Sequence, residues 1–344
     1  MRYTVHDTPE VVRRIEHDLA LIQFVVRAND PGLRSLVLTG GFARGEGAVR
    51  GGAPQNDYDL VAVRGWRPTR EPYTAMQDQL SERLGLHVDL APVPTWRLRW
   101  VQPSIFWYET ATRGRTLWGE DLLGRIRVRR PEQIHPAEGM RLLVNRAAGL
   151  LLCTPSTDPD AKRLQAAKAL LAALDAHMLA AQAFAPSQGE RWVVYQNLAR
   201  TGALPRLARA HEPWFDWAYH HKVDPDNAPP HDAQEAWFAA RSAILDAVPV
   251  ALAHAGLPSL ESYGRRDGLV DHVVYYRRSA QVPGARRLTL HPTGRVRVAT
   301  IRLLEASAQG SIEPAAAAAC FRELVDGDDH PVRRLDALRR ATLQ

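Results

Sequence analysis

The hydrophobic pattern of the chain changes its period near residue 130. Before that point, runs of strand length alternate with amphipathic stretches of helical period: strands at 36–38, 60–63 and 86–93, and helices at 9–27, 73–84 and 103–113. Beyond it, the helical period dominates, with predicted helices at 136–153, 160–184, 192–200, 204–220 and 232–255. The pattern predicts an α+β protein, in which a small mixed sheet with flanking helices is followed by a mainly α-helical domain.

Three segments follow from this change of period. We place the first domain at residues 1–130 and a helical domain at residues 131–256. Residues 257–344 form a mainly helical C-terminal extension, in which two short β-like runs predict a hairpin over 287–298. The alternative for that stretch is a helix over residues 298–307.

Candidate functional residues lie at the ends of two apolar runs. The first run stops at Gly40 and Gly41, as a buried strand does when it enters a tight turn. The second begins at Asp57 and Asp59. Because residues i and i+2 of a strand point to one face, the two carboxylates project together and Tyr58 points the other way.

Two like charges on one face oppose each other's ionisation unless a cation neutralises them. Mg²⁺ binds one or two carboxylates and takes substrate phosphates as further ligands. Glycine allows backbone N–H groups to approach a phosphate closely, and a helix beginning near Phe42 adds a favourable dipole. Together these features predict a triphosphate-binding turn beside a metal-binding strand.

The order of these features resembles the nucleotidyltransferases of the DNA polymerase β superfamily. The matching residues are Gly40, Gly41, Asp57, Asp59 and Leu60, and the likeness covers roughly residues 36–121. Two departures stand out. Many relatives have Ser where this chain has Gly41, and residues 51–54 lengthen the spacer between the two motifs.

The resemblance implies transfer of a nucleoside monophosphate, with AMP favoured, from a nucleoside triphosphate to a hydroxyl group. In that family a third carboxylate comes from a neighbouring strand, and Asp89 fits the position. Asp57, Asp59 and Asp89 would then hold two Mg²⁺ ions, with Mn²⁺ as an alternative. Asp89 could instead act as the general base. Arg44 would stabilise the departing pyrophosphate.

The helical domain resembles, more loosely, that of aminoglycoside adenylyltransferase-like enzymes, which implies a hydroxylated small-molecule acceptor. Lysine is rare here, and Lys168 on the long predicted helix could reach the triphosphate. The alternative is an ordinary solvated lysine. Alternative functions are protein adenylylation and non-catalytic nucleotide binding.

Composition narrows the partners further. The net charge of +6 comes almost entirely from arginines that are scattered along the chain, apart from a small cluster at 125–130, which argues against a nucleic-acid partner. Two distant cysteines fit a reducing compartment. With no apolar run of membrane-spanning length and no signal peptide, we expect a cytoplasmic protein without a membrane contact. The oligomeric state is not predicted.

Overall fold

The computed structural model describes residues 2–153, 157–203, 206–264 and 292–307. Two compact units divide the chain, and the first is discontinuous. This first unit consists of Met1–His135, Gln182–Ala203 and Tyr219–Pro229, and the second comprises the remainder. Two segments that the sequence pattern places in the helical domain therefore group with the first unit.

Helices predominate in the described residues. The α-helices are α1 (Pro9–Asn29), α2 (Gly40–Arg44), α3 (Tyr73–Leu84), α4 (Ile105–Arg113), α5 (Glu138–Leu151), α6 (Pro159–Ala180), α7 (Gln188–Thr201), α8 (Arg206–Ala210), α9 (Glu212–Val223), α10 (Ala233–His254), α11 (Leu260–Gly264) and α12 (Pro292–Ala306). Short 3₁₀ helices cover Thr95–Trp100, Leu123–Arg125 and Pro131–Gln133. The strands are β1 (Leu33–Leu38), β2 (Val49–Arg50), β3 (Ala53–Pro54), β4 (Tyr58–Arg64), β5 (Val88–Pro94) and β6 (Arg115–Gly119).

Four strands of the first unit form a mixed sheet in the order β5-β4-β1-β6. Strand β1 runs antiparallel to both β4 and β6, whereas β4 and β5 are parallel. The predicted α+β class, with a small mixed sheet and flanking helices, is confirmed.

Local sequence signals set the helix boundaries that frame this sheet. Helix α1 begins at Pro9, and the hydroxyl of Thr8 caps it by accepting a hydrogen bond from the N–H of Val11. Helix α3 ends at Gly85, whose φ of +67° suits glycine. Both ends lie where the sequence predicts them.

The two faces of the sheet belong to different hydrophobic clusters. On one face, Leu36, Leu38 and Tyr58 pack with the apolar side of α1. On the other, Val61 packs with Leu98 and with neighbouring aliphatic side chains. This alternation fixes which side chains at the strand ends turn away from the α1 core.

The spacer between the two motifs, which residues 51–54 lengthen, forms a small hairpin. Val49 pairs with Pro54 and Arg50 with Ala53. Between them the two glycines at 51 and 52 adopt φ values of +55° and +78°. Two successive positive φ angles are the requirement of a type I′ hairpin turn, which a Gly-Gly pair meets without strain.

The second unit is helical, and its helices α5, α6 and α10 pack on one another. The predicted hairpin over 287–298 is wrong from residue 292 onward, because Pro292–Ala306 is helix α12. The alternative helical prediction agrees with this. Proline suits the first turn of a helix, and Ile301 and Leu304 are fully buried one turn apart. Residues 287–291 and the predicted helices 313–325 and 331–342 lie outside the described residues.

Helix α10 alone among the described helices has the length and hydropathy that would allow it to cross a membrane. Half of its apolar window is buried inside the protein. The Trp237 ring is almost fully buried, and its indole N–H donates to the carbonyl of Leu150 on α5 at 2.9 Å. Core helices pass the same test of length and composition.

Candidate functional site

Three carboxylates stand at the edge of the sheet where two parallel strands begin. The register of β4 and β5 places Asp59 opposite Asp89, and Asp57 directly precedes β4. Tyr58 is fully buried on the opposite face, stacked on Phe42 at 4.9 Å between ring centroids. The alternation that buries Tyr58 therefore turns Asp57 and Asp59 away from the α1 core.

The electrostatics of Asp59 show that these carboxylates act on one another. Burial raises the pKa of Asp59 to about 6, and repulsion from Asp57 and Asp89 adds to the increase. The positive charges of Arg44 and Lys222 oppose it. Both the negative and the positive groups are therefore close enough to influence the state of this carboxyl group.

The Gly40 turn lies directly against Asp59. The N–H of Thr39 donates to the Asp59 carbonyl at 2.8 Å, which holds the end of β1 beside β4. Gly40 has a φ of +66°, and a Cβ atom there would lie 1.9 Å from the carboxylate oxygen Oδ2 of Asp59. Only glycine satisfies both the conformation and the space at this position.

The second glycine of the pair is also restricted by packing. A Cβ on Gly41 would lie 3.1 Å from Nδ2 of Asn56, whose Oδ1 accepts from the N–H of Ala48. The Phe42 side chain is buried in the core, so only its main chain is available to a ligand. Gly40, Gly41 and Phe42 thus present backbone rather than side chains beside the carboxylates.

Arg44 is already compensated by two carboxylates. Its guanidinium donates to Glu46 at 3.1 Å and to Glu109 at 2.7 Å, and its side chain is only 13% exposed. Glu109 also pairs with the buried Arg191. The predicted contact of Arg44 with pyrophosphate stays a prediction, and any such contact would compete with these glutamates.

Glu46 joins the loop after α2 to helix α7. Its carboxylate accepts from the N–H of Gln188 at 3.0 Å and from that of Gly189 at 2.7 Å. These N–H groups lie in the first turn of α7, where they have no hydrogen-bond partner within the helix and where a negative charge is favourable. No local sequence signal indicates this capping role, and the sequence analysis missed it.

Lys222 is a further candidate that sequence reasoning missed. It lies half-buried in the last turn of α9, within the first unit, and its charge lowers the pKa of Asp59. Lys168 lies half-buried on α6 in the second unit, and its role stays a prediction. The available signal was the rarity of lysine, since Lys222 is one of only three.

Asp89, like Asp57, is open to solvent, whereas Asp59 is half-buried. The side-chain amide of Gln77 donates to Oδ1 of Asp89 at 3.4 Å. An exposed carboxylate at the edge of the sheet is available to a metal ion or to an acceptor proton, so both predicted roles stay open.

Among the residues that the structure describes, no three or more His, Cys, Asp or Glu side chains form a group that could hold a metal ion by themselves. Asp57, Asp59 and Asp89 are carboxylates at one edge of the sheet, beside the Gly40 turn, and their predicted role as metal ligands stays a prediction. Such carboxylates fit Mg²⁺, which takes its remaining ligands from water and substrate phosphates.

Neither a protein-family model nor a curated protein nor a solved structure matches this chain. The resemblance to nucleotidyltransferases therefore stays a prediction from the motif residues.

Proposed function

We propose that the protein is a Mg²⁺-dependent nucleotidyltransferase that moves AMP from ATP to a hydroxyl of a small molecule and releases pyrophosphate. The supporting observation is the parallel pairing of Asp59 with Asp89, with Asp57 two residues before Asp59 and Gly40 against its carboxylate. Burial raises the pKa of Asp59 and repulsion from the neighbouring carboxylates adds to it, and a divalent cation would relieve this cost of ionisation.

Each residue of the site has a place in this reaction. Asp57 and Asp59 would hold one Mg²⁺, and Asp89 would share a second. Bound Mg²⁺ would offset the phosphate charge and lower the pKa of the acceptor hydroxyl. The backbone N–H groups of Gly40 and Gly41 would contact the phosphates.

The transfer is a displacement at the α-phosphorus. The acceptor oxygen forms a bond to this atom while the bond to the β-phosphate oxygen breaks, and pyrophosphate leaves. The acceptor proton passes to Asp89 or to solvent. The positive charge of Lys222, which acts on Asp59 from α9, would lie near the departing phosphates.

The acceptor class is proposed from the sequence of the helical domain, which loosely resembles that of aminoglycoside adenylyltransferase-like enzymes. Protein adenylylation is the alternative transfer. Non-catalytic nucleotide binding is favoured by two observations: Gly41 has no hydroxyl to offer a phosphate, and both Glu46 and Glu109 neutralise Arg44. Because the proposed reaction consumes ATP, an intracellular substrate, we propose a cytoplasmic location.

The decisive experiment is a nucleotide panel with the full chain. ATP, GTP, CTP and UTP are added with and without Mg²⁺ or Mn²⁺, and both the thermal midpoint and pyrophosphate release are measured, with aminoglycosides and sugar alcohols as acceptors. We expect a metal-dependent increase of the midpoint with ATP, because a ligand that binds only the folded state stabilises it by mass action. We also expect this increase to be lost in the Asp57→Asn/Asp59→Asn variant.

The matched control is Asp78→Asn, which removes an exposed carboxylate from α3. It should behave like the parent protein. Binding without pyrophosphate release for any acceptor would favour the non-catalytic alternative, and release only with protein hydroxyl acceptors would favour protein adenylylation. No metal-dependent binding of any nucleotide would refute the proposed function.

Single substitutions can distinguish the role of Lys222 from that of Lys168. Lys222→Gln is expected to weaken Mg²⁺-ATP binding by about tenfold or more, because a charge-assisted contact to phosphate is lost. The pKa of Asp59 should rise further, so the acidic limb of the activity profile should move to higher pH. Isothermal titration and a pH–rate profile measure the two effects.

Lys168→Gln is the comparison for this variant. If Lys168→Gln weakens ATP binding and Lys222→Gln does not, the phosphate contact belongs to α6, and our assignment of Lys222 is wrong.

A further inference from the structure

We propose that the first unit also carries a binding surface for single-stranded nucleic acid, which goes beyond the proposed nucleotidyl transfer and does not depend on it. The tryptophan–arginine surface consists of Trp66, Trp96 and Trp100 with Arg97, Arg99 and Arg127. It lies where β4 and β5 end, whereas the carboxylates stand where these strands begin. Seven strand residues separate the two sites by about 20 Å.

The three indole rings are unusually open to solvent. Trp66 is 93% exposed, Trp100 is 71% exposed and Trp96 is 58% exposed. Tryptophan is highly buried on average, and a concentration of exposed aromatic side chains marks an interaction site more often than a chance arrangement.

The 3₁₀ helix Thr95–Trp100 presents these side chains from a fixed base. Leu98 is almost fully buried in the hydrophobic cluster on that face of the sheet. Side chains three residues apart leave a 3₁₀ helix on the same side, which groups Trp96 with Arg99 and Arg97 with Trp100. The turn therefore displays two neighbouring pairs, each with one indole and one guanidinium.

Three segments of the chain meet at this surface. The hydroxyl of Thr95 donates to the carbonyl of Arg64 at 3.1 Å, which holds the 3₁₀ helix beside the end of β4 and hence near Trp66. The guanidinium of Arg127 lies 5.3 Å from the centre of the Trp100 ring. Ile126, the residue before it, is buried in the same cluster as Leu98.

These segments carry a local excess of positive charge. Residues 64–71, 95–100 and 122–130 contain nine arginines and a single carboxylate, Glu71. Nine arginines against one carboxylate give these segments a net charge of +8, whereas the whole chain carries +6. Among the described residues, no carboxylate forms an ion pair with Arg97, Arg99 or Arg127, whereas Arg64 is neutralised by Asp30.

Single-stranded nucleic acid matches this chemistry. Its phosphates repeat along the chain with unstacked bases between them, and proteins bind it with positive charge that follows the backbone and with aromatic rings on which bases stack. A duplex hides the faces of its bases, so the indole rings would have no stacking partner there. An acidic protein would satisfy the arginines but would leave the three indoles without a specific role.

The test is fluorescence anisotropy with the full chain and labelled single-stranded 12-mers of uridine and of thymidine, at several salt concentrations. We expect micromolar binding of at least one oligonucleotide and quenching of the intrinsic tryptophan fluorescence. Trp96→Ala/Trp100→Ala should weaken binding about tenfold or more, because base stacking is lost. Arg97→Gln/Arg99→Gln should reduce the slope of log K against log salt by about 1.4, since each phosphate contact on a single strand contributes about 0.7.

Two variants serve as controls, because each removes an exposed group of the same kind from α1. Phe24→Ala removes a ring that is 69% exposed, and Arg13→Gln removes an exposed guanidinium. Neither should alter binding. All four variants change exposed side chains, and their circular dichroism should match that of the parent protein.

Three results would overturn the proposal. The first is the absence of binding to either oligonucleotide at 50 mM salt. The second is equal or tighter binding of polyglutamate, which would assign the surface to an acidic protein. The third is a concentration-dependent dimer that Trp96→Ala/Trp100→Ala abolishes, which would make the surface a contact between two copies of this chain. A preference for the uridine or the thymidine strand would identify RNA or DNA as the ligand.

Discussion

The Asp59→Asn variant is expected to lose nucleotidyl transfer and, at the same time, to be more stable than the parent protein at pH 7 to 8 without metal. Activity should fall by about 10³-fold or more, because a carboxylate that would hold the metal is replaced by a neutral amide. Stability should rise by about 1–3 kcal/mol, since a shift of the pKa from 3.8 to about 6 reflects a charged form that the fold disfavours.

The pH dependence of this gain has a defined direction. The folded state binds the Asp59 proton more tightly than the unfolded chain, so the stability of the parent protein falls as the pH rises from about 4 to about 6. Above pH 6 the cost is fully present. Urea denaturation of both proteins at pH 4, 5, 6 and 8 should therefore show the difference growing between pH 4 and 6 and then levelling off.

Asp78→Asn is again the control, because it removes an exposed carboxylate from α3 by the same substitution. A variant Asp59→Asn that keeps full activity would remove Asp59 from the metal site. A variant that is less stable than the parent protein at pH 8 would show that the folded state does not disfavour the charged form of Asp59.

The Gly40→Ala variant is expected to have the second large effect. A Cβ atom at this position would lie 1.9 Å from Oδ2 of Asp59, and alanine is also disfavoured at a φ of +66°. The Asp59 side chain or the turn must move, so we expect activity to fall by at least about 10²-fold and the folded state to lose about 2–4 kcal/mol.

Gly52→Ala separates the steric contact with Asp59 from the backbone cost of a positive φ angle. Gly52 also has a positive φ, of +78°, but nothing lies within 4 Å of its Cβ position. It should therefore show only the backbone cost of about 1–2 kcal/mol and retain its activity. If both variants lose activity equally, the close approach of Gly40 to Asp59 has no part in the reaction.

The frame of the candidate site could be predicted because it depends on local rules. The strand period placed Tyr58 in the core and its neighbouring carboxylates on the other face, and the cap at Thr8 and the stop at Gly85 fixed two of the flanking helices. Each of these features is decided by residues within a few positions of it.

What surrounds the carboxylates could not be predicted, because it depends on contacts between distant parts of the chain. Lys222 is 163 positions from the aspartate whose pKa it lowers. The sequence does not indicate that Arg44 is paired, whereas in the structure it forms ion pairs with Glu46 and Glu109. The arginines of the tryptophan–arginine surface look scattered in the sequence, and only the pairing of β4 with β5 and a shared hydrophobic cluster bring them together.

The discontinuity of the first unit has a consequence for its synthesis. Glu46 caps a helix that begins 142 residues later, and the N–H of Gly51 bonds to Asp226, 175 residues away. At a translation rate of about 5–20 residues per second, residues 136–229 take about 5–20 seconds to emerge after the sheet is complete. During that interval Glu46 and Glu109, the two glutamates that bind Arg44, lack their partners on α7. Closing the loop between the two segments also costs conformational entropy. We therefore expect the incomplete first unit to depend most on chaperones while residues 136–229 are being synthesised.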